Sequence, residues 1–164
     1  MNVILKALIA TSFATVLMAH GQNKTFKGEK QMQAKGTFEV KVVPTDGTPL
    51  EKDAGIGRYI IDKAWSGDLA GKSEGSMLTS MTEITGAMAY VALEKVEGKL
   101  AGKSGSFYFS HTATMKKGDA ASGVLKIVVV PGSGTGELTG LNGELNISID
   151  AKGHHSYVFD YQLP

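Results

Sequence analysis

A glycine–leucine motif that occurs three times constrains the fold of this chain more than any other feature of its sequence. The copies read Gly-Asp-Leu-Ala-Gly at 67–71, Gly-Lys-Leu-Ala-Gly at 98–102 and Gly-Glu-Leu-Thr-Gly at 136–140. Each copy lies between stretches rich in β-branched and aromatic residues, and glycine lets a strand reverse or two backbones approach closely. The motif therefore predicts corners between antiparallel strands. The unequal intervals between copies argue against stacked repeats and favour turns within one closed sheet.

Length and composition set the class of protein. A chain of 164 residues suits a single domain that can bury a core. Glycine accounts for 21 residues while the hydrophobic share is an ordinary 42%, so the excess glycine belongs to turns and not to disorder. The formal net charge is +1, and no run of Lys or Arg is long enough to follow a phosphate backbone. We therefore expect no nucleic-acid partner.

The beginning of the chain matches an export signal. Lys6 carries the only charged side chain in this segment, an apolar run covers residues 7–18, and Ala-His-Gly at 19–21 is a small-x-small cleavage site. The apolar run is shorter than the roughly 20 residues that span a bilayer comfortably. We therefore expect residues 1–21 to be a signal peptide, the mature protein to be periplasmic or secreted, and no stable membrane insertion after cleavage.

Alternation of apolar and polar residues predicts about eight β-strands and no amphipathic helix. In the first strand Phe38, Val40 and Val42 alternate with charged side chains, which is typical of a strand with one buried face. We expect the polar residues 22–35 to form a flexible arm and residues 45–57 to form a mobile loop. The predicted strands cover residues 37–43, 58–65, 73–82, 87–96, 106–115, 123–130, 144–149 and 157–163.

Eight short antiparallel strands favour a small closed β-barrel over residues 36–164. Closure hides the edges of the sheet, and a barrel of this size holds side chains or one small ligand in its interior. A β-sandwich is the alternative architecture. Both are all-β folds of a single domain.

Three segments that contain the glycine–leucine motif carry a resemblance to a known family. They are Trp65-Ser-Gly-Asp-Leu-Ala-Gly, Leu93-Glu-Lys-Val-Glu-Gly-Lys-Leu-Ala-Gly-Lys-Ser-Gly-Ser-Phe and Val130-Pro-Gly-Ser-Gly-Thr-Gly-Glu-Leu-Thr-Gly-Leu-Asn-Gly. Over residues 35–163 the chain resembles the bacterial domain-of-unknown-function family 3224, which is similar in fold to plant allene oxide cyclases. The resemblance implies an eight-stranded barrel and no settled activity. It also implies Glu39 as a candidate catalytic residue, because allene oxide cyclases use a glutamate on their first strand.

A second pair of candidate catalytic residues, Glu94 and His111, follows from the turn at 100–103. If that turn has an even number of residues, Ala92 lies opposite His111 and Glu94 lies opposite Phe109. Glu94 and His111 are then diagonal neighbours on one face, at a separation of roughly 7 Å that side chains can close. A carboxylate beside an imidazole suits general acid–base catalysis, but a structural buried ion pair has the same pattern. Both interpretations stay open, and the structural pair is favoured.

Aromatic residues on the predicted strands are candidates for lining an apolar ligand pocket, because such pockets are mostly apolar with few polar groups. An aromatic content of only 7% leaves no surplus beyond a packed core, so core filling is the favoured interpretation. Adjacent His154 and His155 would point to opposite faces of a strand, and the chain has no Cys, so we expect no metal site and no cofactor. The four candidate ligand-binding residues are Trp65, Tyr90, Phe107 and Phe109.

Two classes of function remain, together with a structural one. The first is an exported barrel that binds a small apolar or amphipathic molecule. The second is an isomerase or cyclase in which Glu94, His111 or Glu39 moves a proton or stabilises charge. The third is a role in assembly, for which the apolar run 123–130, predicted as a strand covered on both faces, would form the interface of a homo-oligomer.

Overall fold

The computed structural model describes residues 30–82, 87–116 and 119–164, without the side chains of residues 81 and 119–122. The predicted signal peptide, residues 1–21, lies outside the described residues, and so do residues 22–29 of the predicted arm. Within the described ranges, no helix combines the length and the apolar composition that crossing a membrane requires.

Eight antiparallel strands close into one barrel. Each strand pairs with the next along the chain, and the last pairs with the first. The predicted all-β closed barrel is therefore confirmed, and the alternative of a β-sandwich is wrong. The strands are β1 (Met32–Thr45), β2 (Gly57–Gly67), β3 (Leu69–Met81), β4 (Ala87–Leu100), β5 (Lys103–Lys116), β6 (Asp119–Val129), β7 (Asn142–Ile149) and β8 (His155–Gln162).

The first strand begins earlier than the sequence pattern predicts. Residues 32–35, the end of the predicted flexible arm, already belong to β1 and pair with β8. Two successive inward positions of β1 carry small residues that lie opposite large aromatic ones: Ala34 faces Phe159 and Gly36 faces Tyr157. A Cβ atom on Gly36 would come within 2.0 Å of the Ser66 carbonyl oxygen. Small inward residues are required here, and they conceal the alternation that would otherwise mark a strand.

The segment between β1 and β2, predicted to be a mobile loop, contains a short helix, α1 (Pro49–Asp53). Thr48 and Glu51 form a capping box, in which the Thr48 hydroxyl accepts from the Glu51 backbone N–H and the Glu51 carboxylate accepts from the Thr48 N–H. Glu51 also pairs with Arg58 on β2. Proline at the first helical position completes a standard helix start, so local capping and one ion pair hold α1.

The three motif copies form corners at one end of the barrel, and that prediction is confirmed. Gly67 and Gly102 adopt φ values of +108° and +85° at the β2–β3 and β4–β5 turns, while the third copy forms a 3₁₀ turn at Gly136–Leu138. Gly98 serves close approach instead, since a Cβ atom there would lie 2.2 Å from the Ala70 carbonyl oxygen. We call this end of the barrel the plugged end.

The leucine of each motif copy points into the barrel and plugs this end. All three, together with Leu141, are between 0 and 1% exposed and belong to the core cluster. Above them the interior is packed with buried aromatic rings. Among these rings, Phe107 and Phe109 are in edge-to-face contact, with 4.9 Å between their centroids. The plug consists of Leu69, Leu100, Leu138 and Leu141.

The opposite end, where β1, β3, β5 and β7 finish, differs from the plugged end, and we call it the mouth. Val42, Leu125 and Ile149 occupy inward-facing positions there, as their pairing with the inward-facing Ile61, Ala113 and His155 shows. They are nevertheless 48%, 41% and 63% exposed. The barrel is therefore packed from the plugged end upward and leaves apolar side chains uncovered at its mouth.

The junction of β6 and β7 is the weakest in the barrel. In the described part of the chain, Val128 and Glu144 form the one residue pair between these strands, whereas all eight residues of β7 pair with β8. The expectation that residues 123–130 are covered on both faces is wrong within this chain. Only the inward Ile127 and Val129 are buried, and the outward Val124 is 66% exposed.

Candidate functional site

The β4–β5 hairpin brings the predicted Glu94–His111 pair together. Ala92 lies opposite His111 and Glu94 lies opposite Phe109, as the even-numbered turn predicts. The two side chains therefore share the inner face, and Glu94 Oε2 lies 2.9 Å from His111 Nε2. Glu94 is 0% exposed and His111 is 4% exposed. A carboxylate and an imidazole thus meet inside the barrel, away from solvent.

Lys63 on β2 is a third member of this site, and our sequence analysis missed it. Its Nζ lies 2.7 Å from Glu94 Oε2 and 5.0 Å from the ring centroids of both Phe38 and Trp65. A buried ammonium is stabilised in this way by one carboxylate and by two aromatic faces. The signal was present in the sequence, because Lys63 falls between Ile61 and Trp65 in the inward register of its strand.

Ser73 on β3 completes the set of partners around the carboxylate. Its hydroxyl donates to Glu94 Oε1, and Trp65 Nε1 donates to the same Ser73 oxygen at 2.7 Å. Each oxygen of Glu94 therefore has a hydrogen-bond donor, as a buried carboxylate requires. We call Lys63, Ser73, Glu94 and His111 the ionic cluster.

The cluster keeps Glu94 ionised. Burial by itself raises the pKa of this carboxyl, but the neighbouring His111 and Lys63 outweigh burial and lower the pKa from 4.5 to about 2. Lys63 and Glu94 then form a pair of opposite charges with no net charge between them. A neutral pair in a largely apolar interior avoids the large cost of an isolated buried ion.

The contact between His111 and Glu94 is close but not a well-aligned hydrogen bond. Nε2 of His111 is buried and has no hydrogen-bond partner in the described chain, although Glu94 Oε2 is only 2.9 Å away. An ionised carboxylate oxygen is purely an acceptor, and a bare imidazole nitrogen at this distance would repel it. We therefore assign a proton to Nε2, and its N–H is attracted to the carboxylate without making an aligned hydrogen bond.

The four aromatic candidates separate into two groups. Trp65, Phe107 and Phe109 are buried in the core cluster, where Trp65 and Phe109 lie 6.3 Å apart between ring centroids. Tyr90 lies further toward the mouth, opposite Ala113, and is only partly buried. Burial, and secondarily the charge of Glu94, raises the pKa of its hydroxyl. The structure thus places three candidates in packing and one near the mouth.

Glu39 does not join the ionic cluster. It lies on the outer face of β1, opposite Ala64, and is exposed to solvent. The residues that β1 contributes to the neighbourhood of Lys63 are the inward Phe38 and Val40. In the described ranges, no three His, Asp or Glu side chains are grouped so that they could hold a metal ion.

Two hollows lie at the rim of the mouth. The larger has a volume of about 380 Å³, and the smaller has a volume of about 220 Å³. Their walls are mostly apolar, which is typical of sites for small organic molecules. The larger hollow includes Met88 and Met115, which lie opposite each other on β4 and β5, and the smaller includes Leu78, Tyr90 and Val91.

Comparisons with known proteins agree with this architecture. The family model described as "Protein of unknown function (DUF3224)" matches residues 34–161. Among solved structures, the chain is similar to the crystal structure of a protein with unknown function from the DUF3224 family of Shewanella oneidensis MR-1. The two share 39% sequence identity over 82% of this chain and 99% of the other, with a TM-score of 0.73. A comparison with curated proteins finds no match.

Proposed function

Since the chain belongs to the DUF3224 family, whose members are described as proteins of unknown function, we propose its function from the barrel itself: it binds a small apolar or amphipathic molecule at the mouth. The observation that carries this proposal is the exposure of the inward-facing Val42, Leu125 and Ile149. Covering such surface is favourable by about 25 cal/mol per Å² of apolar area. The plugged end shows that this chain buries inward-facing apolar residues completely where its own side chains supply the packing.

The ionic cluster lies directly below the proposed site. Leu125 at the mouth pairs with Ala113, and His111 is the next inward-facing residue of β5, two positions further into the barrel. Two residues of a strand span about 7 Å. A molecule seated among the apolar side chains of the mouth would therefore have its inner end near the cluster, which fits an amphipathic ligand.

We propose that this binding takes place outside the cytoplasm. The support is the charged start, apolar run and cleavage pattern of residues 1–21. Expression of the full chain in a bacterial host, followed by fractionation and mass measurement, tests this. A periplasmic or secreted product that begins at residue 22 is expected, and a cytoplasmic product that retains residues 1–21 would contradict it.

Native mass spectrometry of the mature protein is the first test of binding. We expect extra mass that leaves on denaturation and identifies a bound small molecule. The same spectrum gives the number of subunits and so tests the expected homo-oligomer. A protein without extra mass is then titrated with an apolar fluorescent dye, and Trp65, the single tryptophan of the chain, reports binding from the core.

Two neighbouring valines of β1 give a matched pair of variants for the dye titration. Val42 faces the mouth and is 48% exposed, whereas Val43 faces outward and is 52% exposed. Val42→Asp should weaken dye binding at least tenfold, because it places a charge among the apolar side chains of the mouth. Val43→Asp should leave it unchanged. Equal effects of the two substitutions, or no dye binding to the wild type, would refute binding at the mouth.

Acid–base catalysis of the isomerase or cyclase type is a second candidate function. The specific observation that favours it is the 2.9 Å contact between an ionised carboxylate and an imidazole just below the mouth. Chromatography of the ligand released after incubation would reveal an isomerised product. His111→Ala should abolish product formation, and unchanged turnover in that variant would remove His111 from the mechanism.

A further inference from the structure

The ionic cluster contains a buried hydrogen-bond donor for which the described chain supplies no aligned acceptor. Both oxygens of Glu94 are occupied, Oε2 by Lys63 and Oε1 by Ser73. The Ser73 oxygen already accepts from Trp65. Each of these three oxygens therefore has an aligned donor already, and none of them is aligned with Nε2 of His111.

Two groups have hydrogens without an aligned acceptor in the described chain. The Nε2–H of His111 has no hydrogen-bond partner in the described chain. The ammonium of Lys63 has three hydrogens, one of which it donates to Glu94 within the described chain, and the rings of Phe38 and Trp65 lie beside it. A buried donor without an aligned acceptor costs free energy, so a well-placed acceptor would stabilise the cluster and a further donor would not.

We infer that the molecule bound at the mouth carries an acceptor oxygen, in a carbonyl or carboxylate group, that receives the Nε2–H of His111. This inference rests on the proposed function, since it assigns the polar end of the same ligand. A hydrocarbon would leave the His111 donor unsatisfied. A group that only donates hydrogen bonds would supply no acceptor.

The charge of the cluster favours a neutral carbonyl over a carboxylate. Lys63 and Glu94 already balance each other at 2.7 Å. A carbonyl oxygen adds no charge to the interior. A carboxylate adds a second negative charge near Glu94, and burying that uncompensated charge is costly. The preferred class of ligand is therefore an apolar molecule with one ketone, aldehyde, ester or amide oxygen.

A pair of ligands with the same shape isolates this oxygen. Octyl methyl ketone is compared with the alkene in which a methylene group replaces the ketone oxygen, and Trp65 fluorescence reports the binding of each. The ketone should bind roughly five- to tenfold more tightly, as one net hydrogen bond predicts. Decanoate, of similar length, separates the two sources of oxygen: tighter binding than the ketone would identify a carboxylate as the natural group.

The variant His111→Phe keeps a planar ring and removes the donor. We expect it to bind the ketone and the alkene with equal affinity. An unfolding curve verifies that the variant folds. A second measurement avoids substitution altogether: in wild-type protein with nitrogen-labelled histidine, the ketone should shift the Nε2–H resonance of His111 and the alkene should not.

The outcomes separate the two proposals. If the alkene binds the wild type as tightly as both the ketone and decanoate, the inference is wrong, while binding at the mouth stands. An unshifted Nε2–H resonance with bound ketone refutes the inference in the same way. If none of the three ligands binds and the dye shows no dependence on Val42, the proposed function fails, and the inference fails with it.

Discussion

The two ends of the barrel treat inward-facing apolar residues in opposite ways. At the plugged end Leu69, Leu100 and Leu138 are no more than 1% exposed. At the mouth Val42 and Ile149 point inward from the same kind of strand and are about half or more exposed. The difference lies in what surrounds them: the repeated motif turns the chain back over the plugged end and adds a buried leucine each time.

This contrast indicates a division of labour along the barrel axis. The plugged end and the aromatic core supply the apolar burial that stabilises the fold. The mouth contributes little to that burial, so the stability of the fold places little constraint on the residues there. The ionic cluster lies at the boundary between the two, so substitutions there and on either side can test whether the division is real.

The largest loss of stability is expected in the ionic cluster, which lies at the boundary between the two ends. Glu94→Ala should reduce the free energy of unfolding by about 3–5 kcal/mol, because it leaves the buried ammonium of Lys63 without its counter-charge. Guanidinium unfolding followed by Trp65 fluorescence measures this loss. The double variant Lys63→Met with Glu94→Gln removes both charges and should lose clearly less. A double variant as unstable as Glu94→Ala would show that the cost does not come from the unpaired ammonium.

At the plugged end, Leu100→Ala should reduce the free energy of unfolding by about 2–5 kcal/mol. The side chain is fully buried in the core cluster, so its removal loses burial and leaves a cavity. Ligand affinity at the mouth should stay within about twofold in conditions where the variant is folded. A large loss of affinity with little loss of stability would reverse the roles that we assign to the two ends.

Acid should reduce the stabilisation that the ionic cluster contributes to the fold. The pKa of Glu94 in the folded protein, about 2, lies below its ordinary value of 4.5. The stabilisation that this group contributes is therefore fully present above about pH 4.5 and is lost as the pH falls toward 2. Glu51, whose pKa is also lowered to about 2, chiefly by its hydrogen bond with Arg58, adds a loss in the same window.

Comparison with the double variant isolates the contribution of Glu94, because Glu51 is present in both proteins. The unfolding free energy of the wild type should fall more steeply between pH 4.5 and 2 than that of Lys63→Met with Glu94→Gln. Chemical unfolding at a series of pH values gives both curves. Parallel curves would mean that the pKa of Glu94 is not lowered by folding.

The smallest effect is expected at the mouth. Leu125→Ala removes the same number of atoms as Leu100→Ala, but the leucine is already 41% exposed. The free energy of unfolding should therefore fall by less than about 1 kcal/mol, while ligand affinity decreases. Equal stability losses for the two leucines would refute the contrast between the ends.

Most of the fold could be predicted from the sequence because strand alternation and turn glycines are local signals. The number of strands, the closed barrel and the register of β4 against β5 all follow from them. The start of β1 could not be placed in the same way. Ala34 and Gly36 are small because Phe159 and Tyr157 lie opposite, and those partners come from the far end of the chain.

The candidate site was only partly predictable for the same reason. Glu94 and His111 belong to one hairpin, so the hairpin register was sufficient to pair them. Lys63 and Ser73 reach the same carboxylate from β2 and β3. Their convergence depends on the curvature of three strands, which no local pattern records. A lysine in the inward register of an apolar strand was nonetheless a visible signal that a partner was needed.

The junction of β6 and β7 gives the barrel a mechanical property that its closed topology conceals. Around most of the circumference, neighbouring strands are joined by long ladders, but Val128 and Glu144 alone form the described pair between these two. A surface hollow of about 530 Å³ includes both of these residues. The barrel is therefore better described as one curved sheet whose two edge strands, β6 and β7, meet at a single weakly paired junction. Thermal fluctuations should part these edges before any other pair of strands, admitting water to the core from the side and leaving the mouth and the plug in place.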